Sequence, residues 1–122
     1  MSPLRCAAWL CVGLISYLSL IPKSMEVRTF APAGVEHAIA YGATAGLFVL
    51  AYPRATWLIV GSLSAYSSLM ELLQNFSPGR HPGVDGVLWS SAGAIIGGLI
   101  LTLVRSHRTA TKQGSVGCHM QR

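Results

Sequence analysis

Acidic side chains are almost missing from this 122-residue chain: Glu26, Glu36, Glu71 and Asp85 are all four of them. Charge of either sign is scarce, at 11% of residues, where a soluble domain carries about 25% because it needs a polar shell. With 52% hydrophobic residues and a mean hydropathy of +0.50, the chain cannot cover a core with its own polar surface. It belongs in a bilayer. Cysteine is also sparse: Cys6, Cys11 and Cys118 have no metal-type spacing and imply no disulfide framework, and Cys6 and Cys11 read as small apolar packing residues. The sequence holds no Ser nucleophile elbow, no phosphate-cradling Gly loop and no Cys/His nucleophile arrangement. The net charge of +5 does not point to nucleic acid, because six of the nine Lys/Arg sit at the chain ends or in one short loop. Nothing implies a cofactor.

What is present is a set of four apolar runs, about residues 4–21, 35–52, 55–74 and 84–104. At about 1.5 Å per residue the third is roughly 30 Å long, enough to span a hydrocarbon core. The breaks between them carry Pro and Gly: Pro22, Pro32-Ala33-Gly34, Pro53-Arg54, then Pro78-Gly79 and Pro82-Gly83. The expected fold is all-α, an integral membrane four-helix bundle over residues 1–104, followed by a basic tail over 105–122 that is either unstructured or rests on anionic headgroups. Arg5 ahead of the first run gives it the look of a signal peptide. The run is longer than a typical signal core and the segment after it lacks a small-x-small cleavage site, so it reads as an uncleaved helix.

Four crossings put both termini on one side, and the bases decide which. That side collects Arg5, Arg54, Arg105, Arg108, Lys112 and Arg122 with no acid; the other collects Lys23, Arg28 and Arg80 with all the carboxylates. The termini are therefore expected in the cytoplasm.

The same topology gathers the polar residues at the outer end. His37 and Tyr41, four apart, share a face near the start of helix 2, next to Glu36. Ser67, Glu71 and Gln74 make one stripe that closes helix 3. Arg80 lies in the loop and Asp85 opens helix 4. Ionisable groups at membrane depth are costly, so they are functional-site candidates by default. Each also has a plainer reading. Asp85 suits an N-cap or first-turn acid. Arg80 suits an ion pair or a headgroup contact, or a bidentate fork for an anionic ligand. Glu71 opposes the dipole at the end of helix 3, which makes a purely structural role less comfortable. A metal set could be written from His37, Glu71, Asp85 and His81, but no His-x-x-x-His or Glu-x-x-His spacing supports it. Gly42 with Gly46 and Gly93 with Gly97 are small-residue packing faces, extended on helix 3 by Gly61 and Ala65; homo-oligomerisation is the alternative use. Tyr17, Tyr52, Trp57 and Tyr66 include interfacial anchors, and Trp89 is either one more or a wall of the pocket.

These residues resemble the pattern of the VanZ-like family of small membrane proteins. That pattern has an acidic/His pair and a Tyr early in one helix, matched here by Glu36-His37 and Tyr41. A Glu-x-x-Gln closes a later helix (Glu71, Gln74), followed by Pro78-Gly79-Arg80, by Asp85 and by a Gly-rich last helix (Gly93, Gly97). The likeness covers residues 14–104. Trp89 and Ser90 stand where many members carry an Asn. The family is named for a protein linked to low-level resistance to the lipoglycopeptide teicoplanin, so the resemblance implies a cell-envelope role. Three functions stay open: a pocket that binds or modifies an amphiphilic, lipid-linked or glycopeptide-type molecule; a hydrolase or transferase acting on lipid-linked phosphate or sugar; and a structural assembly partner with no small-molecule site.

The orientation is directly testable. A reporter active only in the cytoplasm, fused after Arg54, is expected to be active, and the same reporter fused in the 22–34 loop silent; the reverse pattern would overturn the charge argument.

Overall fold

The computed structural model describes residues 2–25, 30–81 and 83–119, with side chains as far as residue 111. Its order is α1 (Pro3–Leu20), a short 3-10 turn (Lys23–Met25), α2 (Ala33–Ala51), α3 (Thr56–Gln74) and α4 (Val84–His119). No strand occurs among the described residues. Glu26, Arg28 and Arg122 lie outside the described residues, and so do the side chains of Lys112 and Cys118.

Proline sets two of the boundaries. The residue before a proline is driven out of the helical region by the ring. Ile21, ahead of Pro22, is extended (φ −64, ψ 145), and Tyr52, ahead of Pro53, leaves helical geometry (φ −136, ψ 73). Pro3 opens α1, where its missing N–H costs nothing. At the other end α4 runs on to His119, well past the end of the apolar run at Val104. The segment expected to be an unstructured tail is helical there, because no proline follows Val104 and the first glycine after it is Gly114.

Three helices, Pro3–Leu20, Ala33–Ala51 and Val84–Thr111, are long and apolar enough to cross a membrane, with mean hydropathies of 1.4, 1.2 and 2.0. The third apolar run, expected to be equally apolar, is not among them. Ser62, Ser64, Ser67, Ser68, Glu71 and Gln74 lower its hydropathy although α3, at 19 residues, is as long as α2. The bundle has an apolar outside and a partly polar inside. Leu10, Leu58, Ile96 and Leu103 are exposed, whereas Thr44, Ser67, Gln74 and Ser90 are buried. That distribution suits lipid around the protein, since backbone groups are satisfied within helices and only the outer side chains meet the solvent.

α2 lies at the centre and touches all three other helices, with its most extensive contact on α4; α1 leans on α2 and has no contact with α4. Glycine makes the α2–α4 contact. A Cβ on Gly93 would run into the Ala38 carbonyl, and one on Gly97 into the Gly42 carbonyl, while one on Gly42 would meet the Gly93 carbonyl at 3.0 Å. The two backbones therefore meet without side chains between them. Gly46 faces Leu101. Gly61 and Ala65 do not extend this face: both are exposed, and a Cβ on Gly61 would meet nothing within 4 Å. Helix 3 turns the opposite side, Ile59, Leu63, Ser67 and Met70, inward. Tyr66 is no interfacial anchor either, for its hydroxyl donates to the Val12 carbonyl at 3.1 Å and pairs with Ser16. Cys6 is exposed and takes no part in packing.

Replacing Gly97 with Leu is expected to destabilise the bundle by about 3 kcal/mol or to prevent folding, as overpacking against backbone does. Gly61→Ala should be neutral or stabilising by up to about 1 kcal/mol. Unfolding followed by circular dichroism in micelles separates the two.

Candidate functional site

The site begins with a helix that ends in an unsatisfied state. The last turn of α1 has no base of its own. Its final carbonyls need donors from elsewhere, because the last four of any helix have no partner within it. The α3–α4 connection supplies them. Gly79 adopts φ +76, the left-handed region where a side chain is disfavoured, and this turn sends the loop back toward α1. Ser77 Oγ donates to the Leu20 carbonyl at 2.6 Å. Arg80 donates from Nε to the Ile21 carbonyl at 3.0 Å and from Nη2 to the Leu18 carbonyl at 2.9 Å. The Lys23 amide donates to the Pro78 carbonyl at 3.4 Å, closing the loop onto the segment after α1. A guanidinium at a helix C-terminus also meets the negative end of its dipole. Two of its donors are thus committed to the fold, so Arg80 has a structural part as well as a place on the pocket wall.

Glu71 has the complementary task. It lies at the end of α3, but its carboxylate points across to the start of α4. Oε2 accepts the Gly83 amide at 3.1 Å. A Cβ on Gly86 would run into Oε1. The charge that opposes the dipole of its own helix therefore sits at the positive end of the next one. Asp85 occupies the first turn of that same helix and is exposed.

α2 brings the third side. His37 Nδ1 and the fully buried Ser90 Oγ lie 3.4 Å apart. Trp89 packs over Gly34, where any Cβ would enter the indole, and so forms part of the wall at the head of α2. Deeper in the bundle Tyr41 is 2% exposed and hydrogen-bonded to Ser67 on α3.

Together these elements enclose a pocket of about 190 Å³ lined by His37, Glu71, Gln74, Arg80 and Asp85 with Lys23 and His81. A side groove of about 130 Å³ opens beside it, where Glu36 and Tyr41 join His37 and Arg80. All seven ligand-binding candidates of the sequence thus fall on two adjoining cavities at one end of the bundle. Lys23, Gly34, Ser77 and Ser90 are participants the sequence left unmarked. Only Ser90 carried a signal, as a polar residue one helical turn and a residue beyond Asp85. Among the described residues, no group of three or more His, Cys, Asp or Glu side chains is placed to hold a metal ion. No buried side-chain nitrogen or oxygen among them lacks a hydrogen-bond partner.

Chemically the pocket offers both signs: cationic or donor groups on Lys23, Arg80, His37 and His81, and acceptors on Glu71, Asp85 and the Gln74 amide. It can hold a small polar group that both donates and accepts. Its volume is below the roughly 300–1,000 Å³ of pockets that enclose drug-sized ligands. Comparison with protein families, with curated proteins and with solved structures finds no match for this chain.

Arg80→Ala removes two charge-assisted hydrogen bonds and is expected to cost about 2 kcal/mol, with Arg80→Lys recovering only part because lysine lacks the fork. Limited proteolysis between α1 and α2 is the readout: cleavage in the 22–32 segment should accelerate in Arg80→Ala and Ser77→Ala while the α3–α4 pairing persists.

Proposed function

We propose that this is a multi-pass protein of the bacterial inner membrane, with α3 crossing alongside the other helices and both termini in the cytoplasm. Its polar pocket then faces outward at headgroup depth and binds the polar head of a lipid-linked or otherwise amphiphilic molecule. The carrying observation is the convergence of His37, Glu71, Gln74, Arg80 and Asp85, from α2, α3, the loop and α4, on one small cavity. A volume near 190 Å³ suits a phosphate- or sugar-sized head and is too small to enclose a glycopeptide. The lipid-linked reading is therefore preferred over the glycopeptide one. Likeness to the VanZ-like motif string adds the expectation of a cell-envelope role tied to antibiotic susceptibility.

The orientation rests on the charge asymmetry of the two ends. Arg5, Arg54 and Arg105 gather at the end opposite the pocket: Arg5 lies 4.7 Å over the Tyr52 ring, Arg54 follows two residues later, and Arg105 donates to the Val49 carbonyl at 3.3 Å. The described acids Glu36, Glu71 and Asp85 all line the pocket end. This is the asymmetry that the positive-inside rule reads.

If chemistry occurs, Asp85 is the better acid or base, since it is exposed at the rim while Glu71 already accepts the Gly83 amide. A second reading draws on the same hydrogen bonds. Glu71 and Arg80 join α4 to α3 and the loop to α1, so the cluster could serve helix registration alone.

Growth inhibition by lipoglycopeptides and other envelope-directed antibiotics tells these apart, at matched membrane levels. Wild type should shift susceptibility relative to empty vector, and Asp85→Ala, which touches none of the helix-linking bonds, should lose most of the shift, as should His37→Ala, which also breaks the link to Ser90. Glu71→Gln tests the carboxylate itself. Full activity in all three would remove the pocket from the function and leave the registration reading.

A further inference from the structure

A larger cavity than the polar one lies elsewhere in the bundle. Between α1 and α3, over the second half of α2, runs a groove of about 390 Å³ walled by Trp9, Phe48, Tyr52, Leu58, Ile59 and Leu63. It lies toward the terminal end of the bundle, away from the pocket containing Glu71 and Asp85. We infer that this groove holds one acyl chain of an anionic phospholipid, whose headgroup meets Arg5 at the groove's mouth. The inference rests on the membrane location of the chain and not on the polar pocket having a ligand.

Three features select that occupant. First, the walls are mostly apolar: of the three hydroxyl residues among them, Tyr52, Ser62 and Tyr66, the last is already committed, donating to the Val12 carbonyl and pairing with Ser16. A sugar or peptide would find little to bond there, whereas an alkyl chain needs nothing but contact. Second, the aromatic walls are fixed by one another: Trp9 and Phe48 meet edge to face at 5.3 Å, and Phe48 stacks on Tyr52 at 6.3 Å. A groove with such pre-arranged walls does not close by side-chain collapse, so a slender apolar chain fits it at small ordering cost. Third, the mouth is cationic. The Arg5 guanidinium is 4.7 Å over the ring of Tyr52, itself a wall residue, and Arg54 lies in the adjoining turn. None of the described acids reaches this end; Glu36, Glu71 and Asp85 all line the cavities at the other. An apolar trough with a basic rim at the membrane surface is complementary to an anionic lipid and not to a neutral one.

The test uses the full chain in vesicles, with Trp57→Phe and Trp89→Phe introduced so that Trp9 alone reports. Phosphatidylglycerol and phosphatidylcholine with brominated acyl chains are titrated as contact quenchers. Phosphatidylglycerol should quench Trp9 at a several-fold lower mole fraction than phosphatidylcholine. Arg5→Gln should erase that preference. Ser62→Phe, which fills the groove from an exposed position and leaves the core intact, should weaken quenching by both lipids. Equal quenching of the unmodified groove by the two lipids would overturn the proposal, leaving only ordinary boundary lipid. Protection of Trp9 from both would also overturn it, since a second copy seated in the groove produces that result.

Discussion

Where α2 and α4 cross, the Ala38 carbonyl lies against Gly93 and the Gly42 carbonyl against Gly97, with no side chain between the two backbones. That contact determines the rest of the polar end. His37 is the residue before Ala38 on α2, and Ser90 is three before Gly93 on α4, so the crossing that joins the glycines also brings those two side chains together. It places the first turn of α4, with Asp85 and Gly86, beside the head of α2. A wider separation of the helices by one layer of side chains would open the cavity and separate its walls. Close packing of small residues thus supplies what a hydrophobic drive cannot supply within lipid, a single helix register.

The second constraint is that a helix end leaves its terminal backbone groups without partners inside the helix. Here two ends that lack local partners are closed by residues from other segments. The α1 carbonyls take Ser77 and Arg80 from the α3–α4 loop, and the Gly83 amide just ahead of α4 takes Glu71 from α3. The loop that a sequence reading treats as a site is therefore also a structural clasp. These two roles are compatible: a guanidinium and a carboxylate held by backbone bonds are fixed in place, which is what a binding pocket needs of its walls.

The two ends of the bundle have different character as a consequence. One carries Arg5, Arg54 and Arg105 and an apolar groove, the other a mixed-sign pocket and a side groove whose walls hold Glu71, Asp85 and Glu36. An isolated cation near a headgroup layer is inexpensive, while a carboxylate at the same depth needs a partner. That difference fits the placement of the described acids, each on a cavity shared with imidazoles and a guanidinium.

Helix number and every described boundary but the end of α4 were legible from the chain itself, because Pro22, Pro53 and the Pro/Gly pairs interrupt otherwise continuous apolar runs and act locally. So was the grouping of His37, Glu71, Gln74, Arg80 and Asp85 at one end, since antiparallel helices of similar length leave little freedom over which residues share a depth. Direction was not legible. Whether Gly61 faces a neighbour or open surface, whether Tyr66 turns outward or bonds Val12, and whether Glu71 answers its own helix or the next depend on the rotation of each helix about its axis. Composition says little about that rotation when both faces are apolar. Backbone approach at Gly93 and Gly97 decides it, and so does the left-handed turn at Gly79 that carries Arg80 to α1. These are contacts between segments distant in sequence, and only the tertiary structure contains them.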